Sequence, residues 1–471
     1  MNAFARYIRG RVTVLAALLL LVSASGAWAQ IDGLTGTFFN FTAKSGHIIT
    51  PDAASMMIWG YADDSTGQVQ IPGPTLIVNQ GDTITITLNN TLPEPVSIVF
   101  PGQQVTASGG APGLLTQQVP GNDNGANPVT YTFTVNEPGT YTYFSGSHSD
   151  LQVEMGLYGA LIVRPAVQDL AACSQYTQSA YGDCRSAYDY EFLILQSEMD
   201  MDIHQQVELS MIAHPTLPPA IDTAAYHPTI WFLNGRPGPD VLAEAGAAWL
   251  PAQPYNCLPR GNPGKRVLAR MIGAGRDSHP FHTHGNNFDL IARDGRLLES
   301  APGASKAATE VGVVPDLAVS DYTQTTSPGA TFDTIYTWTG QDLGFDIYGT
   351  ADAHTCSDPA CPDANNDGFN DGDPTIACWD ADTYEYCPDH GKPLPVVLPD
   401  IKDLAFGMFY SGSAFLGGTG VLPPGEGGFN LNNGYFHIWH SHNERELTNN
   451  DIFPGGMMTF FIVEPPGIEI Q

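Results

Sequence analysis

The sequence predicts an all-β protein built from β-sandwiches. Three observations carry that expectation. Short alternating runs recur along the chain, separated by Gly, Pro, Asn and Asp. The 471 residues include 50 Gly and 37 Pro, and both residue types break helices. No helical period persists for three turns. With 42% hydrophobic residues, the chain is expected to fold rather than stay disordered. A formal net charge of −31 leaves nothing to neutralise phosphates, so nucleic acid is excluded as a partner.

The elements follow in chain order. Residues 1–29 read as a signal peptide. Arg6, Arg9 and Arg11 make a basic start, Val12 to Val22 is apolar apart from Thr13, and Ala27-Trp28-Ala29 offers a cleavage site. That apolar run is too short to span a bilayer, and no later segment is long and apolar enough to do so. Export to a periplasmic or extracellular compartment is therefore expected. Residues 30–165 read as a first antiparallel sandwich. Thr83-Ile84-Thr85-Ile86-Thr87-Leu88 alternates throughout, and so does Tyr131 to Val135 before the turn at Glu137-Pro138-Gly139. Residues 166–227 read as a connector with one apolar strand, Glu191 to Gln196. Residues 228–471 read as a second sandwich. A polar insertion rich in Asp, Gly, Pro and Cys interrupts it at about 343–425.

The seven cysteines all follow the leader. An oxidising compartment favours disulfides. Cys173 with Cys184 closes a short loop. Cys356, Cys361, Cys378 and Cys387 cluster, and two bridges suit them better than a zinc site, whose pair spacings they fit poorly. Cys257 is left over.

At three places the chain resembles the multicopper oxidase family of cupredoxin domains. Gly73-Pro74-Thr75-Leu76 through Gly81-Asp82-Thr83 to Asn89-Asn90 resembles the family's opening strands. Gly156 to Val163 is similar to the end of its first domain. His279-Pro280-Phe281-His282-Thr283-His284-Gly285 matches its H-P-x-H-x-H-G motif. The resemblance implies two cupredoxin-like Greek-key sandwiches. It also implies, by analogy with two-domain relatives, a homotrimer with metals between subunits.

The family's chemistry uses a type 1 copper, which takes electrons from substrate, and a cluster of three coppers held by four H-x-H pairs. Matched to this chain, the first pair is gone: Val99-Phe100-Pro101 follows Ser97-Ile98. The second keeps only His148, within Gly146-Ser147-His148. The third is intact as His282 and His284. The fourth keeps His440 and His442, but Ser441 stands in place of the type 1 cysteine and Glu446 at the next type 1 histidine. Serine cannot make the soft bond of a blue copper site. His279, the remaining type 1 histidine, is expected to be structural.

The ligands for one cluster copper remain complete as His148, His284 and His440, with His282 and His442 beside them. Three imidazoles with an open fourth position suit copper or zinc. The resemblance thus implies an exported, copper-binding, oxidase-like protein that is not a standard laccase. Its role is in copper handling or in a redox reaction fed by an external electron donor, with His282, His442 or Glu444 moving protons. A metal-free structural or interaction module of the cell envelope is the alternative, and a zinc hydrolase a weaker one. Asp363, Asn365, Asp367, Asp371 and Asp373, with Gly368 at the sixth position, have calcium-loop spacing, although Pro374 replaces the closing Glu. A solvated acidic turn is the rival reading there.

Overall fold

Alternation along each strand decides which side chains are buried. In Thr83–Asn90 every second residue, Ile84, Ile86, Leu88 and Asn90, is buried, while the threonines between them stay partly exposed. The structure, a computed structural model, describes residues 31–304, 313–341, 343, 356–381, 383, 385–391, 412–413, 432, 434–465 and 467–470. The expected signal peptide, residues 1–29, and most of the expected insertion at 343–425 lie outside the described residues.

The first half runs β1 (Leu34–Thr35), β2 (Phe38–Ile49), β3 (Ser55–Asp63), β4 (Leu76–Asn79), β5 (Thr83–Asn90), β6 (Thr106–Gly109), β7 (Ala111–Pro112), β8 (Gln117–Gln118), β9 (Val129–Thr134), β10 (Gly139–Phe144), the single turn α1 (Ser149–Gln152) and β11 (Tyr158–Arg164). One sheet has the order β3-β2-β5-β9-β6 and the other β1-β4-β11-β10. Phe41, Trp59, Ile86, Tyr131, Tyr143 and Leu161 share the core of this half.

The second half runs β12 (Tyr190–Met199), α2 (Met201–Ala213), β13 (Ile230–Leu233), β14 (Arg260–Gly261), β15 (Arg266–Gly273), β16 (His279–Thr283), β17 (Phe288–Arg293), β18 (Arg296–Leu297), β19 (Val319–Asp321), β20 (Thr323–Thr326), β21 (Thr331–Thr337), β22 (Phe369–Asn370), β23 (Asp373–Ala377), β24 (Gly412–Ser413), β25 (Tyr435–Ser441) and β26 (Met458–Val463). Its sheets have the orders β13-β12-β15-β21-β17-β18 and β14-β26-β25-β16-β20. Trp231, Met271, Phe281, Tyr336, Trp439 and Phe461 fill the core of this half. An apolar cluster that includes Ile58, Ile71, Ile162, Leu195, Phe232 and Ile272 joins strands of the two halves. Beside it Arg270 is fully buried, bonded to Glu191 at 3.0 Å and to Thr140 Oγ1 at 3.0 Å.

The all-β sandwich class is borne out, with three differences. The sheets are mixed rather than antiparallel: β1/β4, β4/β11, β2/β5, β12/β15 and β14/β26 pair in parallel. Strands far apart in sequence become neighbours there, so their relative direction is not set by a hairpin turn. The expectation of no three-turn helix is corrected by α2, which spans 13 residues. Asp200 caps it by accepting the amides of Asp202 and Ile203. Ile203, Val207 and Met211, each four residues apart, pack on the first core. Exposed Leu209 and Ile212 on the remaining surface blur that stripe in the sequence. Finally, the connector supplies β12 to the second half's sheet.

The disulfides are Cys173–Cys184, Cys356–Cys387 and Cys361–Cys378. Cys257 is an unpaired buried thiol whose pKa burial pushes well up. Among the described residues no helix is long and apolar enough to cross a membrane.

Candidate metal centre

Residues two apart on a strand share a face, so an H-x-H pair presents both imidazoles to one side. β16 and β25 are antiparallel neighbours with His282 opposite His440. That register puts His282, His284, His440 and His442 on one face and His279, Phe281, Trp439 and Ser441 on the other. The rings of His282 and His284 lie 4.6 Å apart, those of His282 and His442 4.8 Å, and those of His284 and His440 5.1 Å. His284 Nε2 lies 3.1 Å from His440 Nε2. Donor atoms of His282, His284 and His440 all fall within 4.8 Å of one another.

The surroundings keep these rings neutral. Burial first, then the neighbouring imidazoles His440 and His442, lowers His282 to about 4. Burial and the surrounding imidazoles lower His284 to about 2. Burial also lowers His440. His440 Nδ1 donates to the Ser441 carbonyl at 2.6 Å, which leaves its Nε2 as the lone-pair nitrogen. Thr323 Oγ1 bonds His282 Nδ1 at 2.7 Å. Trp439 Nε1 and the Tyr336 hydroxyl both donate to the His284 carbonyl, at 3.2 Å each. His442 is half-exposed, its Nδ1 3.4 Å from Glu444.

The three ligands implied by the resemblance are not the three brought together. His148 stands apart, at the start of α1, where Glu94 Oε2 holds its Nδ1 at 3.1 Å and Asp150 lies 3.6 Å from its Nε2. It borders an open cleft of about 230 Å³ with Glu94, Pro95, Gln118, Ser147 and Pro218. The trio assembled within the chain is His282, His284 and His440. The partner Glu94 lies 54 residues from His148, so sequence spacing offered no signal for it.

On the core face, His279 bonds Glu198 through Nε2 at 2.8 Å and Glu446 through Nδ1 at 2.9 Å. Burial pushes its pKa down, but the two carboxylates outweigh that and raise it to about 9. The expectation that His279 is structural fits this arrangement. Glu446 was visible as the residue at the type 1 histidine position; Glu198 carried no signal. His437 accepts from Trp338 Nε1 at 2.9 Å, and burial lowers it to about 3.

The acidic loop turns its side chains onto its own backbone. Asp363 accepts the amides of Asp367 and Gly368, Asp367 that of Phe369, Asp371 that of Ala364, and Asp373 that of Thr375. Asn365 accepts the Asp367 amide. Gly368 has φ +87°, the left-handed turn expected of the sixth position. Among the described residues the loop does not gather three carboxylates as closely as the histidines gather. The other close group, Asp358 with Cys361 and Cys378, has its sulfurs in a disulfide.

Comparison with known proteins adds an independent line. Residues 52–168 match the multicopper oxidase domain family. The chain is 36% identical over 146 residues to a copper resistance protein A homolog of Pseudomonas syringae pv. tomato, covering 30% of this chain and 22% of that protein. It is 42% identical over 94 residues to copper resistance protein A of Escherichia coli, covering 20% of this chain and 14% of that one. The match thus spans a small part of these relatives' length. A solved structure titled multicopper oxidase mgLAC aligns over 93% of this chain and 88% of its own at 16% identity, with a TM-score of 0.50, a likeness of fold. A domain of this chain thus matches the multicopper oxidase family, and its fold is like that of a solved multicopper oxidase.

Proposed function

We propose that this chain is an exported copper-binding protein whose metal centre is built on His282, His284 and His440, with His442 alongside. The observation that carries this reading is the 3.1 Å separation of His284 Nε2 and His440 Nε2, with His282 in reach. Metal–nitrogen bonds of about 2.0–2.1 Å at a tetrahedral angle place two donors about 3.3 Å apart. Neutral, buried imidazoles already close to that spacing fit a copper or zinc ion. The family favours copper.

Copper held there supplies a one-electron redox centre and a Lewis acid. The chain's own residues do the rest. His282, His284 and His440 offer lone pairs. Thr323 and the Ser441 carbonyl orient two of those rings. His442 with Glu444 accepts or releases a proton at the exposed edge. With Ser441 and Glu446 at the type 1 positions, electrons have to come from an external donor. The role is therefore copper handling, or redox chemistry other than standard laccase turnover. His148 joins the centre only if a neighbouring copy presents it, as in a trimer. The leader-like first residues and the disulfides support export.

The test is metal analysis of the purified chain after copper loading. About one copper per chain, lost when His284 and His440 are both changed to alanine, supports the reading. No copper at any loading sinks it and favours the metal-free module. Preference for zinc with hydrolytic activity favours the hydrolase.

A further inference from the structure

The core face of β16 and β25 carries a second, quite different histidine arrangement. His279, Glu198 and Glu446 are all buried. Ionised carboxylates only accept hydrogen bonds, so a ring bonded to one at each nitrogen donates twice and is an imidazolium. The other carboxylate oxygens are satisfied. Glu198 Oε1 accepts the Tyr226 hydroxyl at 2.7 Å and the amides of Arg276 at 2.5 Å and Asp277 at 2.8 Å. Glu446 Oε1 accepts Asn443 Nδ2 at 2.9 Å.

The three residues come from three elements: β12, β16 and the 3-10 turn Glu444–Leu447. The contacts lead directly to the metal centre's own supports. Asn443, which bonds Glu446, also donates its amide to Ser441 Oγ at 3.2 Å. His442 donates its amide to the Pro280 carbonyl, next to His279, at 2.8 Å. The Met457 amide donates to the Glu446 carbonyl at 2.7 Å, and the Ser441 amide to that of Met457 at 2.9 Å.

We propose that Glu198, His279 and Glu446 form a buried ionic clamp that positions the end of β25, which carries His440 and leads into His442, against the strand carrying His282, and so sets the affinity of the metal centre. This rests on the copper-binding reading above. The clamp residues touch no ligand and act only through the ligands they hold. Breaking one side of a buried ion pair leaves an uncompensated charge, so either half of the clamp matters to the other.

The experiment is a copper(II) titration of the full chain against a competing chelator, beside nitrogen-15 spectra of its histidine rings. Glu446→Gln weakens copper binding by about tenfold or more at unchanged stoichiometry, the range seen when a ligand's supporting partner is lost. Glu446→Asp, which keeps the charge, restores part of the loss. In the metal-free wild type at neutral pH, both His279 nitrogens carry protons, and Glu446→Gln displaces the ring signals of His440 and His442. Unchanged affinity with unmoved ring signals overturns the clamp, and so does an unprotonated His279 nitrogen in the wild type. If the wild type takes up no copper, the copper reading falls, and the ring signals of the metal-free chain alone decide the clamp. Should Glu446→Gln fail to fold, Glu198→Gln releases the other nitrogen and is read in the same way.

Discussion

The two halves of the molecule differ in what they could offer a metal ion. The half that the family match covers, residues 52–168, holds fewer of the histidines that the resemblance implies. It has Val99, Pro101 and Gly146 at three positions where the resemblance implies ligands, and His148, at the fourth, is tied to Glu94. The other half keeps both H-x-H pairs in register and in contact. Sequence similarity follows packing, which the first half retains, while metal chemistry depends on a few side chains that can be lost without disturbing it. Two of these positions also meet in space. A Cβ at Gly146 would sit 2.5 Å from Val99 Cγ1, so the valine fills room that a side chain at 146 needs.

The sharpest way to break this contrast is to remove ligands from each half in turn. Changing His284 and His440 together to alanine should lower copper affinity by more than about 100-fold in a chelator competition, beyond the effect of losing a supporting group. His148→Ala should leave uptake by the isolated chain unchanged. Equal losses would erase the distinction between the halves.

Core truncation comes next. Trp439 is fully buried and stacks on Phe461 with centroids 5.0 Å apart. Trp439→Ala should cost about 3–5 kcal/mol in denaturant unfolding. It should also impair copper binding, because its indole supports the His284 carbonyl. Trp59→Ala in the first core should cost a comparable amount without that second effect.

Acid and alkali should separate two histidine classes. Folded His279 keeps its proton to about pH 9, whereas an unfolded histidine releases it near 6.5. Its contribution, about 3 kcal/mol from the size of that shift, is present in full below pH 6.5 and lost as pH rises through about 9. His282 and His284 behave oppositely. Folded, they stay neutral down to about pH 4 and about 2. Below pH 6.5 the unfolded chain therefore binds more protons, and the metal-free protein loses stability. Melting temperatures across pH 4–10 for the wild type and His279→Gln check both signs; the variant should lose the alkaline limb only.

The smallest effect concerns the space between Gly146 and Val99. Gly146→Ala should destabilise by about 1–3 kcal/mol through overpacking, and Val99→Ala in the same chain should recover part of it. Additive effects in the double variant would show that the two positions do not share that space.

Much of the fold was legible. The Thr83–Leu88 alternation identified a half-buried strand, and H-P-x-H-x-H-G marked β16 and its histidines. What escaped was set by contacts remote in sequence or hidden by exposed apolar residues. Leu209 and Ile212 masked α2. The parallel pairings depend on which strands meet after long excursions. The resemblance grouped His148 with His284 and His440, because a family pattern does not say which copy of the chain presents a ring to which. Glu198, 81 residues before His279, could not be recognised as its counter-charge without the sheet that brings them together.

The strict two-residue period of β25 also limits how its length can vary. One residue inserted between Tyr435 and Trp439 would reverse every side chain on one side of the change relative to the other. Indole and imidazole would exchange places, sending Trp439 toward the surface and the ligand rings into a dry core. Insertions or deletions in this strand would therefore have to come in pairs to preserve the histidine cluster.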